Sequence, residues 1–409
     1  MLACNPMRAD LILQPHDIVA ICGDSITQQK QYSVFMEDYF LMCQPAEKLR
    51  AAQFGWNGEQ AAGLNARINN DVLPFKPTVA TICYGMNDGH YRGMTPATGD
   101  AYRQNVTEVV EKLKAGGVRA IIVGTPGAVD APAYTNPGGV HADEYNKTLG
   151  ALGDIAREVA QKEGVGFADV HTPMMDVMAK AHAAYGTNYI FIPHDGVHPQ
   201  GSGHIVMAYA FLKAMGCDGA IGTITVDLSA NKAEGTPGQT IQSCQNGSVE
   251  IESSRYPFCF QGDPDKPDPT SASMLKFLPF NEDLNRYMLV VKGLKGTKAK
   301  VTWGTVSKEF PATDLAKGIN LAGEFLANPF RDQFSKVDAA VQAQQAQETT
   351  LVISYLHNLP TFQTMLTDTG KGYLDKVTAD AMSQEENLFN AAAALVVPVH
   401  HTIKIEDVP

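Results

Sequence analysis

Between residues 17 and 215, short runs of uninterrupted apolar residues alternate with longer amphipathic stretches, and this alternation narrows the fold more than any other feature. Ile18 to Cys22, Ala51 to Phe54, Val79 to Cys83, Arg119 to Val123 and the shorter Gly166 to Ala168 read as strands. Tyr32 to Cys43, Gln60 to Asp71, Gly99 to Lys114, Asp143 to Lys162 and Gly201 to Met215 read as helices. Strands that are apolar at every position, such as "VATIC" and "AIIVG", suit a parallel sheet buried on both faces. The expectation is an α/β domain whose strand ends share one edge.

After Cys217 the texture changes to Thr, Val, Ser, Gly and Pro. "TITVDLS", "GSVEIES", "RYMLVVKG" and "AKVTWGTV" alternate at period two and predict antiparallel strands of a small sandwich or barrel-like module. A polar, Pro-rich loop at 261–271 separates two of them. Residues 312–358 turn helical, and "HTIKIEDV" near the C-terminus predicts a strand returning to the β-module. The predicted organisation is an α/β domain over 1–216, a β-rich accessory module over 217–311, and a helical segment with a closing strand over 312–409.

Apolar residues make up 44% and charged residues 19% of the 409, which is a globular balance, and no apolar run is long enough to predict a membrane span. A net charge of -12 argues against a nucleic-acid partner, which calls for a basic patch. The seven cysteines form no Cys-x-x-Cys pair, so a zinc ribbon is not expected. Cys22 and Cys83 fall inside apolar runs as small buried hydrophobes, while Cys244 and Cys259 could bridge a loop in an oxidising compartment. The opening "MLACNPMRAD" has no apolar segment of the signal-peptide kind. The chain is expected to be cytoplasmic, or secreted or periplasmic with its export signal removed.

Three motifs carry the chemistry: Gly23-Asp24-Ser25-Ile26-Thr27 after the first strand, "YGMND" from Tyr84 to Asp88 after the third, and Asp195-Gly196-Val197-His198-Pro199. In a doubly wound sheet the loops after parallel strands converge at one edge. Serine needs a base within hydrogen-bond reach, and the base needs a third group to fix its tautomer. His198 and Asp195, three residues apart, can supply both to Ser25. The N–H groups of Ser25 and of Gly58 in "GWNGEQ", with the side-chain amide of Asn87, can supply donors to an oxyanion. Taken singly, Ser25 or Asp24 could cap a helix, Asn87 and Asp195 could be turn residues, and His198 could be structural. The combination is what points to catalysis.

With those residues in view, the first half of the chain resembles the SGNH hydrolases, also called GDSL-type esterases. "GDSIT" matches the block of the nucleophile Ser25, "NGEQ" that of the oxyanion Gly58, "GMND" that of Asn87, and "DGVHP" that of Asp195 and His198. The resemblance implies a flavodoxin-like three-layer α/β/α domain over 1–216 with its active site at the strand ends. No cofactor and no metal are implied, although His194 and His204 flank His198. Phosphate-binding glycine loops and the Gly-x-Ser-x-Gly elbow are absent.

Asp24, Trp56, Asn57, Tyr91 and Arg92 lie beside these blocks as candidate substrate contacts, and the loop after the fourth strand is a candidate wall. Aromatic faces suit a sugar ring or an aryl ester, though a buried structural role suits Trp56 equally. The sequence reading is a serine esterase removing a short acyl group, O-acetyl first of all, from a carbohydrate. Its alternatives are a general arylesterase or thioesterase on small soluble esters, a carbohydrate-binding protein, and a sugar acyltransferase. The partner expected is a small-molecule or polysaccharide ester, and a homo-oligomer stays open.

Overall fold

The computed structural model describes residues 11–44 and 48–408. The opening residues, Cys4 among them, lie outside the described part. Five strands, β1 (Ile18–Gly23), β2 (Arg50–Gly55), β3 (Val79–Cys83), β4 (Ala120–Gly124) and β5 (Gly166–Ala168), form one sheet in the order β2-β1-β3-β4-β5. Every pair in it is parallel. Alternate side chains explain why both faces are covered. Val19 and Ile21 of β1 join one buried cluster, with α2 (Tyr32–Asp38), α6 (His171–Tyr185) and α7 (Gly201–Ala214). Ala20 and Cys22 join another, with α3 (Ala61–Arg67), α4 (Pro96–Ala115) and α5 (Ala142–Glu163). This is the flavodoxin-like α/β/α sandwich.

Register positions the loops. Gly23 pairs with Gly55 on one side and with Cys83 on the other, so β1, β2 and β3 end level. The segments that follow, opening at Asp24, Trp56 and Tyr84, therefore emerge together at the point where the strand order reverses.

Among the described residues no further strand lies beside the outer strand β2, yet its backbone donors are occupied. Ala51 N–H donates to Glu37 Oε1 at 3.0 Å and Gln53 N–H to Glu348 Oε2 at 2.9 Å. Glu348 belongs to the helix Arg331–Thr350, which packs on α2 and β2. A later helix, Asp368–Ala394, adds Glu385 as an ion-pair partner of Arg50. The edge is thus closed by helices and buried carboxylates rather than by another strand.

The remaining strands form two sheets. One has the order β13-β10-β6-β7, from Ile319–Asn320, Arg286–Lys292, Ala220–Asp227 and Lys232–Gly235. The other has the order β12-β11-β14-β9-β8, from Val306–Pro311, Lys298–Trp303, Val399–Val408, Ser248–Ser253 and Gln239–Gln245. The final strand β14 is central, antiparallel to β11 and β9. One pairing departs from the antiparallel expectation: β6 and β10 run parallel. Their connection first forms β7, β8 and β9 and then the long 254–285 segment, which is ample for the crossover a parallel pair requires.

Cys244 and Cys259 are both free, against the pairing the sequence left open. Cys259 is buried among Phe258, Phe260 and Asn328, whereas Cys244 lies on the outer strand β8. Among the described residues, no helix is long and apolar enough to cross a membrane.

Candidate active site

Ser25 opens α1 (Ser25–Gln28), a single turn that starts two residues after β1. Asp24 caps it: its Oδ1 accepts from Ile26 N–H at 2.9 Å. This buried carboxyl faces the helix, so of its two sequence-level roles the structure gives it the cap; burial pushes it up to about 7. At the first helical position the N–H of Ser25 has no acceptor within the helix and is left to the site.

The segment Asp195 to His198 reaches Ser25 from the other end of the domain. His198 Nε2 is 2.7 Å from Ser25 Oγ, and His198 Nδ1 is 2.6 Å from Asp195 Oδ2. With Nδ1–H donated to the carboxylate, Nε2 is left as the acceptor for the serine hydroxyl. The other carboxylate oxygen accepts from the N–H groups of Val197 and His198, at 2.9 and 3.0 Å. Partial burial pushes Asp195 up, but the backbone donors and the His198 ring outweigh it and hold it below the usual carboxylate range.

Trp56 to Glu59 forms a tight turn, with Glu59 N–H donating to the Trp56 carbonyl at 3.2 Å. Gly58 sits inside it at φ +71°, a conformation that favours glycine, and it is exposed. The turn is tied to the Asn87 loop. Asn87 Nδ2 donates to the Glu59 carbonyl at 3.0 Å, and the Tyr91 hydroxyl donates to Asn87 Oδ1 at 3.2 Å. These two bonds fix the amide orientation and leave one N–H of Asn87 for another acceptor.

Of the five candidate substrate contacts, Asn57 and Arg92 are exposed. Asp24 is the buried cap. Trp56 packs against Arg67 and His357, with the ring centroid 5.1 Å from the guanidinium and 4.6 Å from the imidazole. Tyr91 is committed to Asn87 and stacks on Tyr145 at 5.1 Å. His90 and Tyr91 both have left-handed backbones, with φ +52° and +55°, a strained pair held directly after the Asn87 motif. His194 is exposed, 3.3 Å from Gln200. His204 is fully buried between Tyr32 N–H and Gln29 Oε1, and burial pushes it down to about 3, so it stays neutral.

Several supports went unread in the sequence. Asp88 accepts from Ala61 N–H and Gly85 N–H, both at 3.0 Å, and so joins the Asn87 loop to α3. Asp130, in the long loop after β4, accepts from Phe191 and Ile192 N–H at 2.6 and 3.0 Å, and its own N–H donates to the Gly196 carbonyl at 2.8 Å. Gly196 has φ +72°, and a Cβ there would lie 2.7 Å from the Asp130 carbonyl oxygen. Asp88 had a visible signal, its place at the end of "YGMND". Asp130 had none, because its partners lie some sixty residues away.

Residues 21–205 match the model of the GDSL-like Lipase/Acylhydrolase family. This segment is a GDSL-like, or SGNH, hydrolase domain. It is a carboxylic ester hydrolase. A curated relative of this hydrolase, an acetylxylan esterase of Geobacillus stearothermophilus, is 25% identical over 178 residues, which span 42% of this chain and 74% of the relative. The structure of a gut microbial diltiazem-metabolizing enzyme is 22% identical and covers 98% of this chain and 100% of its own, with a TM-score of 0.77. That likeness extends the shared fold through the β-sheets and the helical segment. A solved acetylxylan esterase from Geobacillus stearothermophilus covers 50% of this chain and 95% of its own, at 21% identity and a TM-score of 0.41.

Proposed function

We propose that this hydrolase removes short acyl groups, acetyl first of all, from hydroxyls of a carbohydrate, with Ser25 as nucleophile. The observation that carries the mechanism is the unbroken relay from Ser25 Oγ through His198 to Asp195, at 2.7 and 2.6 Å. The acetyl and carbohydrate parts are supported by the curated relative, named as an acetylxylan esterase.

Ser25 Oγ attacks the ester carbonyl as its proton passes to His198 Nε2, and Asp195 stabilises the imidazolium through Nδ1–H. The oxyanion takes the N–H groups of Ser25 and Gly58 and the free amide N–H of Asn87. His198 returns the proton to the departing alkoxide as the bond between carbonyl carbon and alcohol oxygen breaks, leaving an acyl-Ser25 ester. Water then adds to that ester with His198 as base, and the acid departs. The exposed Asn57 and Arg92 are left to meet the alcohol portion.

The test is acetate release from acetylated xylan, an acetylated monosaccharide and p-nitrophenyl acetate in parallel. Preferred, Ser25-dependent cleavage of a sugar ester supports the whole reading. Cleavage of the aryl ester alone removes the carbohydrate and keeps the serine mechanism.

A further inference from the structure

We propose that His357, contributed by the C-terminal helical segment, is a positioning residue for the oxyanion donors; the inference rests on Gly58 and Asn87 having that role. A chain of buried charges connects them. His357 Nδ1 lies 3.0 Å from Asp71 Oδ2. The same oxygen is 3.6 Å from Arg67 Nη1. Arg67 Nε and Nη2 each donate at 2.7 Å to the two oxygens of Glu59. Glu59 in turn ends the turn that presents Gly58, and its carbonyl holds the Asn87 amide.

Arg67 thus stands between two carboxylates. It grips Glu59 with a two-bonded fork and meets Asp71 only at ion-pair distance, because His357 and Asn70 already donate to Asp71. Asp71 is fully buried, and its Oδ2 is covered by His357, whose own side chain is 42% exposed. Without the imidazole, Asp71 would compete with Glu59 for the guanidinium. His357 also packs on Trp56, the first residue of the same turn, so its loss frees both ends of the segment carrying Gly58. Oxyanion donors act only where charge develops, so a shift in them weakens transition-state binding and leaves substrate binding alone.

The experiment compares the full chain with His357→Ala, His357→Asn, Asp71→Asn and the double variant Asp71→Asn/His357→Ala. It measures kcat and KM for p-nitrophenyl acetate, with thermal melting alongside. His357→Ala should lower kcat about tenfold, a fraction of the roughly hundredfold that a 1 Å misplacement can cost, with KM unchanged. Asparagine places its amide nitrogen where Nδ1 stood and should restore kcat to within about twofold of wild type. In the Asp71→Asn background the carboxylate no longer competes, so adding His357→Ala should cost less than about threefold. Wild-type kcat in His357→Ala, an equal loss in His357→Asn, or a rise in KM in place of a fall in kcat would overturn the proposal. Wild-type turnover in Asn87→Ala would instead overturn the oxyanion assignment beneath it.

Discussion

His198 Nε2 lies 2.7 Å from Ser25 Oγ although the two residues are 173 positions apart. Ser25 is fixed by the end of β1 and the start of α1, and His198 by the turn that precedes α7. The contact therefore depends on the α/β domain being closed.

Removing either member should disable the pair. Ser25→Ala and His198→Ala are each expected to lower kcat by orders of magnitude, and the double variant should fall little below either one, because the residues act as a unit. Steady-state kinetics on the three purified variants checks this. Multiplicative losses would mean that the two residues act separately.

Asn87→Ala removes one of the three proposed oxyanion donors and should cost about 2.7 to 4 kcal/mol of transition-state stabilisation, read as kcat with KM little changed. Tyr91→Phe removes only one of the two hydrogen bonds that orient the Asn87 amide, so its loss in kcat should be smaller. A larger loss in Tyr91→Phe than in Asn87→Ala would contradict this ordering.

Asp130→Ala should loosen the acid–base segment. It strips the acceptor from two buried N–H groups, those of Phe191 and Ile192, at about 1 to 3 kcal/mol each. Asp130→Asn keeps an oxygen acceptor and should retain most of the stability and kcat. Urea denaturation with parallel kinetics distinguishes the two, and equal behaviour of the two variants would remove the tether from the account.

Acidic groups where the helical segment meets α2 give stability a pH dependence. Burial pushes Glu37 up to about 7 and lifts Asp38 well above the ordinary carboxylate range, with Asp338 adding to the rise at Asp38. A carboxyl raised on folding gives stability that is complete below about pH 4 and lost as pH rises through its folded value, here about 7 for Glu37. Asp38→Asn keeps the neutral form at every pH, so its melting temperature should fall less than wild type between pH 5 and pH 8. Parallel falls in the two proteins would exclude Asp38 from this dependence.

The strands were legible because parallel strands buried on both faces are apolar at consecutive positions; Val79–Cys83 matches its prediction, and Ala120–Gly124 lies one residue from it. The blocks proposed to be catalytic stood out in the sequence because each adjoins the end of a strand or the start of a helix. The edge of β2 was not. Glu37 and Glu348 look like solvated polar positions in a helical pattern, and only the packed structure turns them into acceptors for strand N–H groups. The parallel pairing of β6 with β10 was hidden for a related reason, since alternation at period two fixes the face of a strand and not its partner's direction. Tyr91 was a candidate substrate contact and Trp56 was open to that role or to a structural one; their contacts with Asn87, Arg67 and His357 were not legible, because they depend on segments distant in sequence or on a strained backbone.

The central claim is that Ser25 is the nucleophile, and covalent labelling with a fluorophosphonate followed by peptide mass spectrometry tests it most directly. The account predicts one adduct, on Ser25, with activity lost in proportion to labelling and no adduct in Ser25→Ala. Labelling at another residue that tracks the loss of activity, or full turnover by protein labelled at Ser25, would contradict it.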